Sequence, residues 1–219
     1  MRITMSLKTI EEKLNQGRQY RNIDVSTFER RAEDDGEKIV EGYATTFNRP
    51  YELYSYDGYT VMEQIDARAF DDCDMSDVIM QYDHEGRVFA RISNDTLTVT
   101  PDSVGLKIRA KLGGTEIGRE LYEEIDGGYT TKMSFGFRVG EDKREITENR
   151  EDNTVTVLRT ITKISKLYDV SAVSLPANDA TSISARNYFN GLIEELKLEK
   201  QAQEKRERQK KQIKILCEM

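Results

Sequence analysis

Between Thr27 and Leu175 the chain is broken at short intervals by turn signals, and the runs between them alternate apolar and polar residues. "YELYSYDGYTVMEQI" bends at Asp57-Gly58, a dipeptide suited to the left-handed backbone of a two-residue hairpin. "TFERRAEDDGEKIVEGYATTF" bends at "EDDGE", and "TLTVTPDSVGLKIRAKL" bends at "PDSVG". A run of period two can bury only every second side chain, so a succession of such runs must assemble into sheets. "DVIMQYDHEGRVFARIS", "YTTKMSFGFRV", "TVTVLRTITKI" and "LYDVSAVSL" add further strands, and Pro176 stops the last. The charged run "GEDKREITENREDN" reads as an exposed loop or hairpin tip. Two stretches read as helix. One is the short "DARAFDDCD"; the other is "TEIGRELYEEID", where Ile117, Leu121 and Ile125 follow a Thr cap at intervals of four and Gly127-Gly128 ends the run. The expected fold class is β-rich α+β: an antiparallel, nearly closed β-barrel with a few flanking helices and a C-terminal helical tail.

The texture changes at Ser182. "YFNGLIEELKLEKQAQEKRERQKKQIKIL" has no Pro and consists mostly of good helix formers, with apolar residues thinning out after Leu198. Residues 197–214 carry eight Lys/Arg against three Glu, whereas the whole chain has a net charge of −7. The body is therefore acidic and the tail basic, which suggests a separate contact for the tail, on an acidic partner or on nucleic acid; a solvated helix face is the plainer alternative. The division is an N-terminal extension over 1–26, a β domain over 27–181 and a basic helical tail over 182–219. Cys73 and Cys217 have no disulfide or metal spacing and read as reduced thiols of a cytosolic protein. No apolar run approaches the ~20 residues of a membrane span, and the N-terminus lacks the apolar core of a secretory signal.

Three residues attract a chemical reading. The single histidine, His84, sits in a loop between the strand-like "DVIMQY" and "RVFARI". Ser134, in "KMSFGF", shares a strand face with Lys132, Gly136 and Arg138 and points away from Met133, Phe135 and Phe137. Gly136 leaves room beside the hydroxyl that a substrate backbone could fill; a merely solvent-facing strand is the alternative. Asp169 lies in the apolar run "LYDVSAVSL", where a carboxylate must find a partner or guard a sheet edge. Rival chemistries fit poorly. Cys73 lies among carboxylates that raise a thiol pKa, one histidine offers no metal-ligand spacing, and "LGGTEIG" and "DGGY" lack the lysine of a phosphate loop.

The pieces "EGYATTFN", "VMEQIDARAFDD", "IMQYDHEGRVFARI", "DSVGLKIRAKL", "KMSFGF" and "LYDVSAVSLPAN" occur in the order and rough spacing of the tailed-phage prohead proteases. The chain resembles that family of capsid maturation serine proteases, related in fold to the herpesvirus assemblins, over about residues 27–180. The resemblance implies Ser134 as nucleophile, His84 as general base and Asp169, where the family usually has glutamate, as the acid that orients the imidazole. Because Asp is one methylene shorter than Glu, Asp83 is a second candidate for that role. An oxyanion hole is also implied, although backbone donors leave no mark in a sequence. No cofactor and no metal are expected. The implied activity is a serine endopeptidase that cuts the scaffold region of the major capsid protein, and itself as well in many members, inside the assembling prohead in the bacterial host cytoplasm. The implied partners are the capsid protein and the immature shell, with a homodimer by analogy to the assemblins; neither a membrane nor nucleic acid is expected as a partner. The competing reading is a non-enzymatic assembly or scaffolding factor, with the β domain as binding module and the tail as anchor.

Overall fold

The computed structural model describes residues 17–23, 29–32, 38–149, 151–152, 154–174 and, near the C-terminus, 191, 193–194, 196–198, 201–202 and 205–212. The chain divides into two units, residues 15–181 and a second made of 1–14 with 182–219. In the second unit every described residue is helical, with Lys197 and Glu194 one turn apart at 3.8 Å. The "EDDGE" turn, Pro176 and Cys217 lie outside the described residues.

The larger unit contains the hairpins that the turn signals imply. β2 (Glu29–Ala32) pairs with β3 (Lys38–Thr46), and β4 (Tyr51–Tyr56) with β5 (Tyr59–Ile65). β6 (Ile79–Tyr82) pairs with β7 (Glu85–Arg91), and β8 (Leu97–Pro101) with β9 (Gly105–Lys111), all antiparallel. Asp57 and Gly58 both have positive φ, 52° and 78°, the geometry that lets two right-twisted strands meet through a two-residue turn. The helix α1 (Glu116–Asp126) begins at Thr115, whose hydroxyl accepts from Gly118 N at 3.1 Å, and it buries Leu121 and Ile125.

Several expectations need correction. Among the described residues the strands form two sheets that do not close into a barrel, one ordered β1-β10-β11-β5-β4 with β6 and β7 attached through β11, the other β2-β3-β9-β8. Nor is the pairing purely antiparallel, because β11 (Thr154–Val173) takes β5 and β6 as parallel neighbours. The two runs "TVTVLRTITKI" and "LYDVSAVSL" are one continuous β11, since "SKLY" between them carries no breaker. The charged run ends in a hairpin tip, with Glu151 and Asp152 in the turn, but as far as Asn149 it is strand and not loop: β10 (Lys132–Asn149) keeps pairing with β11 while its outer residues face solvent. "DARAFDDCD" forms successive turns, with Ala69 N bonding Asp66 O and Asp71 N bonding Arg68 O, and not a helix. Asp66 Oδ1 takes the Arg68 N–H at 2.8 Å, the side-chain competition by which Asp disfavours helix propagation. Finally, part of the expected N-terminal extension is a strand of the domain: β1 (Gln19–Ile23) pairs antiparallel with β10.

One apolar core joins both sheets, with Val40, Phe47 and Ile108 packed into the same cluster as Met133, Phe135 and Phe137. Phe135 and Phe137 are fully buried and stack at 4.5 Å between centroids. At about 1.5–3 kcal/mol for each large apolar side chain, this burial fixes β10 firmly in place. The N-terminal end of β10, from Met133 to Phe137, is thus a buried platform.

Candidate active site

Ser134 lies on that platform, and three strands bring partners to it. β1 places Asn22 opposite Ser134, and β11 places Ser171 opposite it on the other side; Gly136 is opposite Tyr20 and Asp169. The parallel neighbour β6 pairs Ile79 with Asp169 and then turns sharply into β7. That turn is Asp83-His84, with φ of 47° and 63°. Two left-handed residues in sequence make a tight hairpin that swings the imidazole back over β11 and β10. Asp83 fastens the turn: its N–H donates to Ala172 O at 2.9 Å, and its carboxylate accepts from Ser174 N at 3.0 Å and Ser174 Oγ at 2.9 Å.

The structure brings Ser134, His84 and Asp169 together. His84 Nε2 lies 2.5 Å from Ser134 Oγ, and His84 Nδ1 bonds Asp169 Oδ2. A carboxylate can only accept, so Nδ1 carries the ring proton of a neutral imidazole and Nε2 faces the hydroxyl as an acceptor. Asp169 is fully buried in an interior strand, not at a sheet edge. Ser171 Oγ donates to its Oδ2 at 2.7 Å, and Arg18 donates to its Oδ1. The shorter reach of an aspartate is therefore no obstacle, and Asp83, engaged with Ser174, is not the imidazole's partner.

Burial, and next the Arg18 guanidinium, push the His84 imidazole down to about 4, against an upward pull from Asp83. At neutral pH the ring is uncharged and free to accept a proton. Burial pushes the Cys73 thiol up to about 11, with Asp74 adding to the effect, so little thiolate forms there at neutral pH.

Two features differ from the reading of the strand pattern. Ser134 is 0 % exposed and Gly136 is buried, so their part of that face of β10 is covered, while Arg138 farther along it is exposed. The room beside Gly136 is filled as well, by the Asp169 carboxylate, Arg18 and Tyr20, all of which a Cβ at that position would meet.

The sequence reading missed Arg18, Tyr20, Arg21 and Glu63. The Tyr20 ring lies 4.2 Å from that of His84, between centroids. The Arg21 carbonyl accepts from Ser134 Oγ at 3.0 Å, a second acceptor for the single hydroxyl proton. The Arg21 side chain enters a pocket around Glu63, a residue of β5 with 0 % exposure. Arg21 Nε donates to Glu63 Oε1 at 2.5 Å and Nη2 to Oε2 at 3.1 Å; Tyr51 Oη at 2.6 Å and Arg159 Nη1 at 2.9 Å donate to the same two oxygens. Burial alone would raise the Glu63 carboxyl, but Arg21 and Arg159 hold it down at about 2. The one signal in the sequence was Glu63 itself, which shares an alternating face with Val61 and Ile65, both buried.

No curated protein and no solved structure matches the chain significantly. A family profile does match, that of the caudovirus prohead serine proteases, over residues 26–194. The matched span contains His84, Ser134 and Asp169 and begins after β1. It covers most of the sequence, so the chain belongs to the caudovirus prohead serine protease family, the capsid maturation hydrolases of tailed bacteriophages.

Proposed function

We propose that Ser134, His84 and Asp169 form the catalytic triad of an endopeptidase that cuts the scaffold region of the major capsid protein within the assembling prohead. The observation that carries this reading is the unbroken line of contacts from Ser134 Oγ through both imidazole nitrogens to a buried carboxylate. Within it, Nε2 takes the Oγ proton as Oγ bonds to the peptide carbonyl carbon. Asp169 holds the Nδ1–H tautomer and stabilises the imidazolium that forms. As the tetrahedral adduct collapses, the C–N bond breaks and Nε2 returns the proton to the departing amine. Water then repeats the sequence on the acyl ester, and Ser134 is regenerated.

The test is coexpression of the chain with its capsid protein. Ser134→Ala should leave the capsid protein at full length, and His84→Ala should match that defect within a modest factor because triad members act as a unit. Unchanged processing in Ser134→Ala would remove the nucleophile assignment. The basic tail over 182–219 is proposed as the anchor within the shell; a chain lacking 197–219 should cut a free peptide normally and be missing from assembled shells.

A further inference from the structure

A nucleophile with 0 % exposure cannot meet a second chain, so whatever covers Ser134 must leave before an external peptide is cut. Residues 18–21 run across the site and touch each member of the triad in turn. Arg18 pairs with Asp169, Tyr20 packs on His84, and the Arg21 carbonyl receives the Ser134 hydroxyl. The segment lies as an extended strand antiparallel to β10, the way a peptide adds to a sheet edge. Among the described residues its only strand partner is β10. The family match begins at residue 26, so the covering strand precedes the part of the chain that the family shares.

The residue whose carbonyl reaches Ser134 also places its side chain in a site built for it. Both Glu63 oxygens are engaged by the Arg21 guanidinium, which meets the carboxylate as a two-pronged fork. The Phe137 ring lies 5.6 Å from the guanidinium carbon. A neutral side chain there would leave each carboxylate oxygen short of a donor in a site without solvent.

We propose that β1 is a tethered occupant of the substrate's place on β10, and that the Glu63 pocket selects peptides with an arginine at the residue whose carbonyl meets Ser134. This rests on the serine protease reading of the same site. Substrate then binds by displacing β1, pairing with β10 as an extended strand and seating its guanidinium on Glu63.

The test uses the full chain, a fluorophosphonate probe that labels an activated serine, and fluorogenic peptides identical except for arginine, citrulline or norleucine at that residue. Arg21→Ala removes a donor from each Glu63 oxygen and can cost the fold, so Arg21→Gln, which keeps an amide donor for the pocket, is measured beside it. Ser134 should label about tenfold faster or more in the Arg21 variants than in the parent. The synthetic peptide GRQYRNI, residues 17–23, should slow labelling of the variants, and its Tyr-Ala-Asn counterpart should not. The variants should cut the arginine peptide at least about tenfold faster than the citrulline peptide, which has the same shape without the charge. Equal labelling of parent and variants would show that β1 is a fixed wall of the site and overturn the occupancy. Equal cleavage of arginine and citrulline peptides would overturn the Glu63 selectivity. Failure of Ser134 to label in any of these proteins would instead overturn the serine nucleophile itself.

Discussion

Adding one methyl group at Gly136 separates the geometry of the triad from the stability of the strand that carries it. Gly136 has an ordinary strand backbone, and Gly→Ala in a strand is normally neutral or stabilising by about 0.5–1 kcal/mol. Here the new Cβ would overlap Asp169 Oδ1 outright and lie 2.8 Å from Arg18 Nε and 3.0 Å from Tyr20 Cε1. Ordinary contact needs about 3.5 Å, so the carboxylate must retreat by roughly 1 Å or more, away from His84 Nδ1. A displacement of about 1 Å in a catalytic group costs on the order of 10²-fold in rate, equivalent to about 2.7 kcal/mol of transition-state stabilisation. The overpacking itself costs about 1–3 kcal/mol of stability. Gly140→Ala on the same strand is the milder comparison, because its Cβ comes no closer than 3.1 Å to Lys163 Cγ and 3.3 Å to Lys163 O and meets no member of the triad. The assay is kcat/KM on a fluorogenic arginine peptide together with urea denaturation of both variants. Gly136→Ala with kcat/KM within about twofold of the parent would refute the reasoning. So would a loss in Gly140→Ala as large as that in Gly136→Ala.

Asp169→Asn should lower kcat on the same peptide by about 10⁴-fold, since an amide cannot hold the imidazole in the required tautomer; retention of more than about a tenth of the activity would count against the triad. Arg18→Gln removes a charge that depresses His84, so the acid limb of the pH–kcat/KM profile should move to higher pH; a limb that stays in place would mean that Arg18 has no electrostatic hold on the imidazole. His84 titrates near 4 in the folded chain and near 6.5 when unfolded. The unfolded state therefore binds more protons between those values, and stability should fall as pH drops from about 6.5 towards 4, by up to about 3 kcal/mol. In His84→Gln that slope, measured from urea midpoints, should be correspondingly reduced. Glu63→Ala leaves the guanidiniums of Arg21 and Arg159 without their shared buried carboxylate and should cost about 3–5 kcal/mol by the same measurement.

The hairpins were legible because their information is local: Asp57-Gly58 and "PDSVG" state a backbone geometry in a few residues, and the flanking alternation states a face. The parallel placement of β5 and β6 beside β11 was not legible, because no local signal says which strands become neighbours once the hairpins have formed. The charged outer half of β10 misled for a related reason. A ribbon paired on one side and solvated on its face needs few apolar residues, so its composition resembles that of a loop. His84, Ser134 and Asp169 were legible one at a time as oddities of their surroundings: a lone imidazole at a strand end, a hydroxyl and a carboxylate in apolar runs. β1 was not, because its five residues, "QYRNI", follow a polar stretch and have too short an alternation to stand out.

That overlooked strand ties access to basicity. Burial holds the imidazole low, and Arg18, which donates to Asp169 Oδ1, lowers it further, so with β1 seated His84 is a weak base facing a serine that no external peptide reaches. Efficient general-base catalysis requires a pKa near the working pH. Departure of β1 takes the Arg18 guanidinium away from Asp169, so the full carboxylate charge then acts on Nδ1–H and the imidazole pKa rises towards that range. The same displacement uncovers Ser134 and frees its proton from the Arg21 carbonyl, leaving Nε2 as the acceptor. One movement of one strand thus changes access, proton direction and base strength together. Burial of Ser134 with β1 in place is therefore compatible with protease activity, because the group that closes the site is also the group that detunes it.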